Sequence, residues 1–359
     1  MPQLDALRAL AILAVMLSHF SRTIQASRLD LGGIGVRLFF VLSGFFITRI
    51  LLDCRERIAS GTSTAGRQFR QFYLRRTLRI FPAFYATLFL ATILDMGSAR
   101  ATFWWHVCYG SNILFALQGT WGDILSHFWS LAVEEQFYLL WPWLILFLPA
   151  ARLPLALVIG CAAGPGARLI THALAPDNAT AATVLLPACL DQLLLGAVLA
   201  WLWHTRGPAA ALPRRFRQLG LVVLLVGVPL QLAFFSGTTI ASILAPLVQS
   251  IAFVVLIDGA ARGIGGRLGK ALSWKPLVWM GGISYGLYLL HNFSHWWAPR
   301  ILRQLTGYRL SYFSNELAQI SYLIALTFGA AVVSYYVIER PINRLKHRLS
   351  YVEPTGQTA

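Results

Sequence analysis

The sequence predicts an all-α fold, a polytopic transmembrane helix bundle, and three observations carry that prediction. Hydrophobic residues make up 57% of the 359 and charged residues only 12%, with a mean hydropathy of +0.62; a soluble domain carries about 25% charged residues. The apolar residues come in long unbroken runs rather than alternating. That selects helices over a closed barrel, the two structures able to satisfy every backbone polar group in lipid. The 30 Lys and Arg, part of a formal net charge of +16, fall between those runs. This is the pattern of a topology signal, not of a nucleic-acid-binding face.

About ten spans are expected, with boundaries good to a few residues. The first, near 5–24, resembles a secretory h-region, but it holds Arg8 and His19 and has no small-residue cleavage site, so it reads as a retained span. Next come 33–52, a short span at 80–96, and 131–149. The fifth, 153–172, contains Gly164-Pro165-Gly166, tolerated where neighbours cover the freed backbone groups. The rest are 184–204, 218–235, 239–259, 277–297 and 318–338. Segments 55–79, 206–217, 262–275 and 340–348, with Arg152, carry twenty basic residues. The opposite loops carry seven: Arg22, Arg28, Arg100, Arg168, Arg300, Arg303 and Arg309. Positive loops stay inside, so both termini are expected in the cytoplasm. Residues 1–345 then form one transmembrane domain, and 346–359 a short cytoplasmic tail.

Trp104, Trp105, Trp121 and Trp129 fall in the outer segment 97–130, and Trp296 and Trp297 close the ninth span. Rings so placed anchor at the headgroups or bind sugar. Cys54, Cys108, Cys161 and Cys189 show neither CxxC nor regular spacing, so no disulfide framework and no metal site is expected.

Four stretches carry chemistry. Arg8 and His19 are eleven residues apart, about 1,100° of helical rotation and within ~20° of three full turns, so they share a face ~16 Å apart along the axis. Ionisable groups inside a span are costly and face a cavity or a partner, and histidine suits general-base work near neutral pH. Glu134 and Glu135 follow His127 at the head of the fourth span, at the expected depth of His19; a carboxylate there could orient the imidazole. Arg75, Arg76 and Arg79 lie at i,i+3 and i,i+4 spacing, so their guanidinium forks can converge on the phosphates of a cytoplasmic donor or on anionic lipid. Ser284, Tyr288 and His291, at i, i+4 and i+7, form a polar stripe that is helix glue or an acceptor-site wall; Asp191 is a candidate of the same sort.

Other motifs fail. Ser43 lies in Val41-Leu42-Ser43-Gly44, without the first glycine of a nucleophile elbow. The P-loop spacing breaks at Ile264 and Ala271 around Lys270. An HxxxxD pattern, His172 to Asp177, falls in an expected outer loop beside Pro176.

Taken together and in order, these stretches resemble the acyltransferase family 3 membrane proteins, which O-acylate surface and secreted glycans and some antibiotics. The likeness rests on Leu4-Asp5-Ala6-Leu7-Arg8 with His19, on Phe39-Phe-Val-Leu-Ser43-Gly44-Phe45, and on Arg75-Arg76-Thr-Leu-Arg79-Ile-Phe-Pro82. It continues through Trp129-Ser-Leu-Ala-Val-Glu134-Glu135-Gln136-Phe-Tyr138, Ile283-Ser-Tyr-Gly-Leu-Tyr-Leu-Leu-His291 and Glu339-Arg340-Pro341, and covers nearly the whole chain. Where the family usually has Gly, position 6 is Ala. The resemblance implies a bacterial inner-membrane enzyme with Arg8 and His19 as its catalytic pair. It further implies that Arg76 and Arg79 contact acyl-coenzyme A, with acetyl the expected acyl group, and that the acceptor is an extracytoplasmic carbohydrate or glycosylated small molecule. Some relatives add an esterase-like SGNH domain. None is expected here, so the membrane part would complete the transfer itself or hand the acyl group on. Two other classes remain open at this stage: a transporter or flippase of lipid-linked glycans, and a membrane acyltransferase acting on lipid or protein.

Overall fold

A computed structural model describes residues 1–27, 29–235, 237–307 and 315–345. Arg28, Arg309, Lys346, Arg348 and the 346–359 tail lie outside the described residues. The described secondary structure is helical throughout. The principal helices are α1 (Pro2–Phe20), α2 (Leu31–Ala59), α3 (Ala65–Ile93), α4 (Phe128–Phe147), α5 (Leu153–Leu174) and α6 (Leu186–Arg206). They are followed by α7 (Thr239–Arg262), α8 (Lys275–Gly282), α9 (Ser284–Leu290), α10 (Ser294–Thr306) and α11 (Glu316–Ser334).

Among the described residues, seven helical stretches are long and apolar enough to cross a membrane: Pro2–Phe20, Leu31–Ala59, Ala150–Leu174, Ala179–Arg206, Arg214–Phe235, Thr239–Arg262 and Glu316–Arg344. They coincide with seven of the expected spans; the third, fourth and ninth differ. α3 and α4 are long helices, but the first half of α3 carries Arg67, Arg70, Arg75, Arg76 and Arg79, and Glu134-Glu135-Gln136 interrupts α4. The ninth expected span is no single helix. It breaks into α8, α9 and α10 at Ile283 and again around His291–Phe293. Gly281 lets α8 press onto the start of α1, where a Cβ would overlap the Asp5 carbonyl. Such close approach favours glycine and weakens helix continuity.

Two central contacts set the frame. α1 and α2 run antiparallel, with Gly32 beside Ser18 and Gly35 against the Ala11 carbonyl and Val15. α2 and α6 share the broadest helix–helix contact. It is closed by reciprocal glycines: a Cβ on Gly44 would overlap the Leu193 carbonyl, and one on Gly196 the Val41 carbonyl. Without hydrophobic drive between helices in lipid, such close backbone packing must hold them together. Gly44→Ala is therefore expected to cost about 1–3 kcal/mol by overpacking, read as a lowered thermal midpoint of the detergent-purified protein. An unchanged midpoint would show that the contact is looser than described.

α5 continues unbroken through Pro165. Gly164 makes room for the Asp191 carboxylate, which Arg168 holds in a two-pronged ion pair, Nη2 to Oδ2 at 2.6 Å and Nη1 to Oδ1 at 3.0 Å. This buried pair, 2% and 0% exposed, pins α5 to α6.

Candidate active site

Two cavities lie along α1. The first, about 590 Å³, is lined by Asp5 and Arg8 at the helix start, by Ser43 of α2, by Arg75, Arg76 and Arg79 of α3, by Glu134, Glu135 and Tyr138 of α4, and by Ser284, Tyr285 and Tyr288. The second, about 630 Å³, is lined by Val15, Ser18 and His19 at the other end of α1, together with His127, Trp121, Trp129 and residues of α5, α6 and α7. Val36 and Tyr288 line both. The depth agrees, because neighbouring Gly35 rests between Ala11 and Val15, midway between Arg8 and His19. Arg8 and His19 thus open into two chambers that share a wall.

In the first chamber Arg8 donates to Asp5 Oδ1 at 3.0 Å and stacks over the Phe46 ring at 4.6 Å. Arg76 lies over the Tyr138 ring at 4.4 Å. Arg8, Arg76 and Arg79 are close enough to repel one another. Ser43 Oγ donates to Glu134 Oε1 at 2.6 Å and is hydrogen-bonded to the Tyr138 hydroxyl. The guanidiniums share the hollow with Asp5, Glu134 and Glu135, and their forks suit the oxygens of a phosphate-bearing ligand.

The second chamber is organised by imidazoles. His19 Nδ1 lies 2.9 Å from the Val15 carbonyl. A carbonyl only accepts, so Nδ1 carries the hydrogen and Nε2 keeps its lone pair. His291 is fixed in the same sense, Nδ1 donating to the Tyr288 carbonyl at 2.7 Å. Its buried Nε2 has no hydrogen-bond partner among the described residues, and its ring meets His19 edge-on at 4.8 Å. His127 is the opposite tautomer: Nε2 donates to the Leu289 carbonyl at 3.1 Å and Nδ1 accepts from Asn292. His127 also lies 4.8 Å from His291. The Tyr288 hydroxyl, held by Ser130 and the His127 carbonyl, keeps the shared wall in place.

Several sequence expectations are corrected here. Neither Glu134 nor Glu135 orients His19; both face the arginines. Helix α4 starts at Phe128, so His127 takes the level of the imidazoles and Glu134 sits seven residues on, two turns or ~10 Å deeper. Asp191 is no acceptor wall: it lines neither cavity and is spent on Arg168. His172 lies in the last turn of α5 rather than in a loop, hydrogen-bonded to Ser242. Ser284 lines the first chamber, among the arginines, and not the second; Tyr288 lines both, and His291 lines neither but joins the imidazoles. Of the tryptophans, Trp104 is 73% exposed and lines neither cavity, whereas Trp121 and Trp129 line the second.

Sequence reasoning passed over Arg37 and Gln192, which line the second chamber; Ser43, weighed only as a nucleophile, and Tyr138, quoted only in the family resemblance, line the first. Arg37 had a legible signal, a charge inside an apolar run. Gln192 had none beyond its place in the sixth span.

The family model described as the acyltransferase domain, acyltransferase 3, matches residues 1–339. Among curated proteins the chain is 30% identical to the peptidoglycan O-acetyltransferase OatA of Listeria monocytogenes, over 96% of this chain and 56% of that protein. It is 29% identical to the O-acetyltransferase OatA of Staphylococcus aureus, over 96% of this chain and 57% of that one. The chain thus spans little more than half the length of these relatives. No solved structure matches it. With the model covering nearly its full length, from the Arg8–His19 helix to Glu339, the chain belongs to the acyltransferase 3 family.

Proposed function

We propose that the chain is a membrane O-acyltransferase that carries an acyl group, acetyl first among them, from cytoplasmic acyl-coenzyme A to a hydroxyl of an extracytoplasmic glycan. The observation that carries this reading is the pair of chambers meeting at Val36 and Tyr288, with guanidiniums on one side and a basic imidazole nitrogen on the other. Arg76 and Arg79 hold the donor's phosphates, whose oxygens suit guanidinium forks. The pantetheine arm runs past Arg8 toward the shared wall, over part of the ~16 Å between Arg8 and His19. On the far side, His19 Nε2 takes the proton of the acceptor hydroxyl, the hydroxyl oxygen attacks the thioester carbonyl, and the thiolate leaves and recovers that proton as free thiol. The excess of basic residues on the Arg8 side supports a cytoplasmic donor chamber. The relatives' names, O-acetyltransferases of peptidoglycan among them, support a glycan acceptor.

Purified protein in liposomes, given radiolabelled acetyl-coenzyme A and a soluble saccharide acceptor in opposite compartments, is expected to move label across and release one thiol per acetyl transferred. A protein that releases no thiol is not an acyltransferase, and label reaching lipid alone would change the acceptor.

A further inference from the structure

We propose that the second chamber recognises an uncharged saccharide unit through side-chain amides, with Gln192 of α6 as a recognition residue. This rests on the acyltransferase reading only for the chamber's role as acceptor site. Its volume, about 630 Å³, lies within the ordinary range of small-ligand sites.

The chamber's two guanidiniums are both spent inside the protein. Arg37 gives Nη2 to Asp30 Oδ2 and Nη1 to Gln249 Oε1, each at 2.8 Å. Arg168 is closed by Asp191 and donates further to the carbonyls of Ala188 and Ile243. A carboxylate or phosphate sugar entering here would meet cations already neutralised, and would leave much of its hydration behind for little return.

Amides are left over instead. With its oxygen taken by Arg37, Gln249 donates Nε2 to Gln231 Oε1 at 2.7 Å. That chain of donors ends at Gln231, whose own NH₂ meets no acceptor among the described residues. Gln192 goes further. It is 5% exposed, lines the chamber, and its side-chain amide has no hydrogen-bond partner among the described residues. A carboxamide facing a hollow offers one acceptor and two donors, the complement of sugar hydroxyls and acetamides. Trp121 and Trp129, set edge to face at 6.0 Å, add flat apolar surface for the C–H face of a pyranose. Asp191 and Gln192 are adjacent in sequence and divide the work. The Asp191–Arg168 pair anchors the helix, and the amide one residue on faces the ligand.

The test uses the full chain in detergent, titrated by calorimetry with two probes: the neutral trisaccharide of β-1,4-linked N-acetylglucosamine and the trianionic trisaccharide of galacturonic acid. The neutral probe is expected to bind saturably with a Kd insensitive to added salt, and the anionic probe not to bind. Gln192→Ala and, on a separate segment, Gln231→Ala should each weaken the neutral probe about tenfold; Gln231→Ala carries the test if the buried variant fails to fold. Preference for the anionic probe, binding weakened by salt, or unchanged affinity in folded variants would overturn the proposal. So would failure of the neutral probe to bind a protein that still releases thiol from acetyl-coenzyme A. Absence of thiol release in the liposome assay strikes the acyltransferase reading instead, independently of the sugar titration.

Discussion

Replacing His19 by alanine is expected to lower kcat for acyl transfer about a hundred- to ten-thousandfold, the usual contribution of a positioned general base. The donor KM should stay as it is. The physical reason lies in the tautomer. With Nδ1–H committed to the Val15 carbonyl in its own helix turn, the imidazole presents a lone pair on Nε2 to a chamber that takes the acceptor. That bond is local, and the Val15 carbonyl keeps its backbone partner within the helix, so its loss leaves the packing of α1 on α2 intact. The variant should therefore be recovered folded, with a thermal midpoint close to that of the parent. Acetyl transfer and thiol release are measured on the same preparation. Retained transfer at the parent rate would remove His19 from the mechanism. The contrast with His127 sharpens the point, because both its nitrogens are engaged, with Leu289 and Asn292. A truncation there would cost structure, and its loss of activity would say nothing about a base.

How much of this was legible beforehand follows from the distance over which each residue acts. The helical class and seven of the expected spans depend on runs of side chains facing lipid, a local property that composition and period report. The helical phase of Arg8 and His19 is likewise local, and the residues face the two chambers as an eleven-residue spacing requires. Arg8 meets Arg76 and Arg79 in one chamber as expected, whereas the inference that set the glutamates at the depth of His19 failed. Glu134 was placed beside His19 because the fourth span was expected to begin three residues later than α4 does. A shift of one turn changes a partner. The break of the ninth span was equally out of reach, since it adjoins a contact of Gly281 with Asp5, 276 residues away. Asp191 shows a third kind of miss. An intramembrane carboxylate reads as functional by default, and only the tertiary structure reveals that Arg168 neutralises it. The shared wall of Val36 and Tyr288 combines all three difficulties, because it joins residues of α2 and α9 that no spacing relates.

Replacing Arg76 and Arg79 together by alanine is expected to lower kcat/KM for acetyl-coenzyme A about a hundredfold or more, almost wholly through KM. A hydrogen bond to a charged group contributes about 1.5–3 kcal/mol, so two such contacts to phosphate, even short of additive at the upper end, amount to about two decades or more. The effect has a signature that a merely structural role would lack. A short phosphate-free thioester, S-acetyl-N-acetylcysteamine, has nothing for these guanidiniums to grip, so the double variant should process it as the parent does while its advantage for acetyl-coenzyme A disappears. Added salt should raise the parent's KM by screening the pair and leave the variant's unmoved. Two opposed effects set the stability of the variant: losing Arg76 and Arg79 relieves their repulsion with Arg8 and takes cations away from Glu134 and Glu135, which line the same chamber. The phosphate-free donor therefore carries the distinction, and a variant that loses both its thermal midpoint and its activity on that donor would assign these residues to the scaffold.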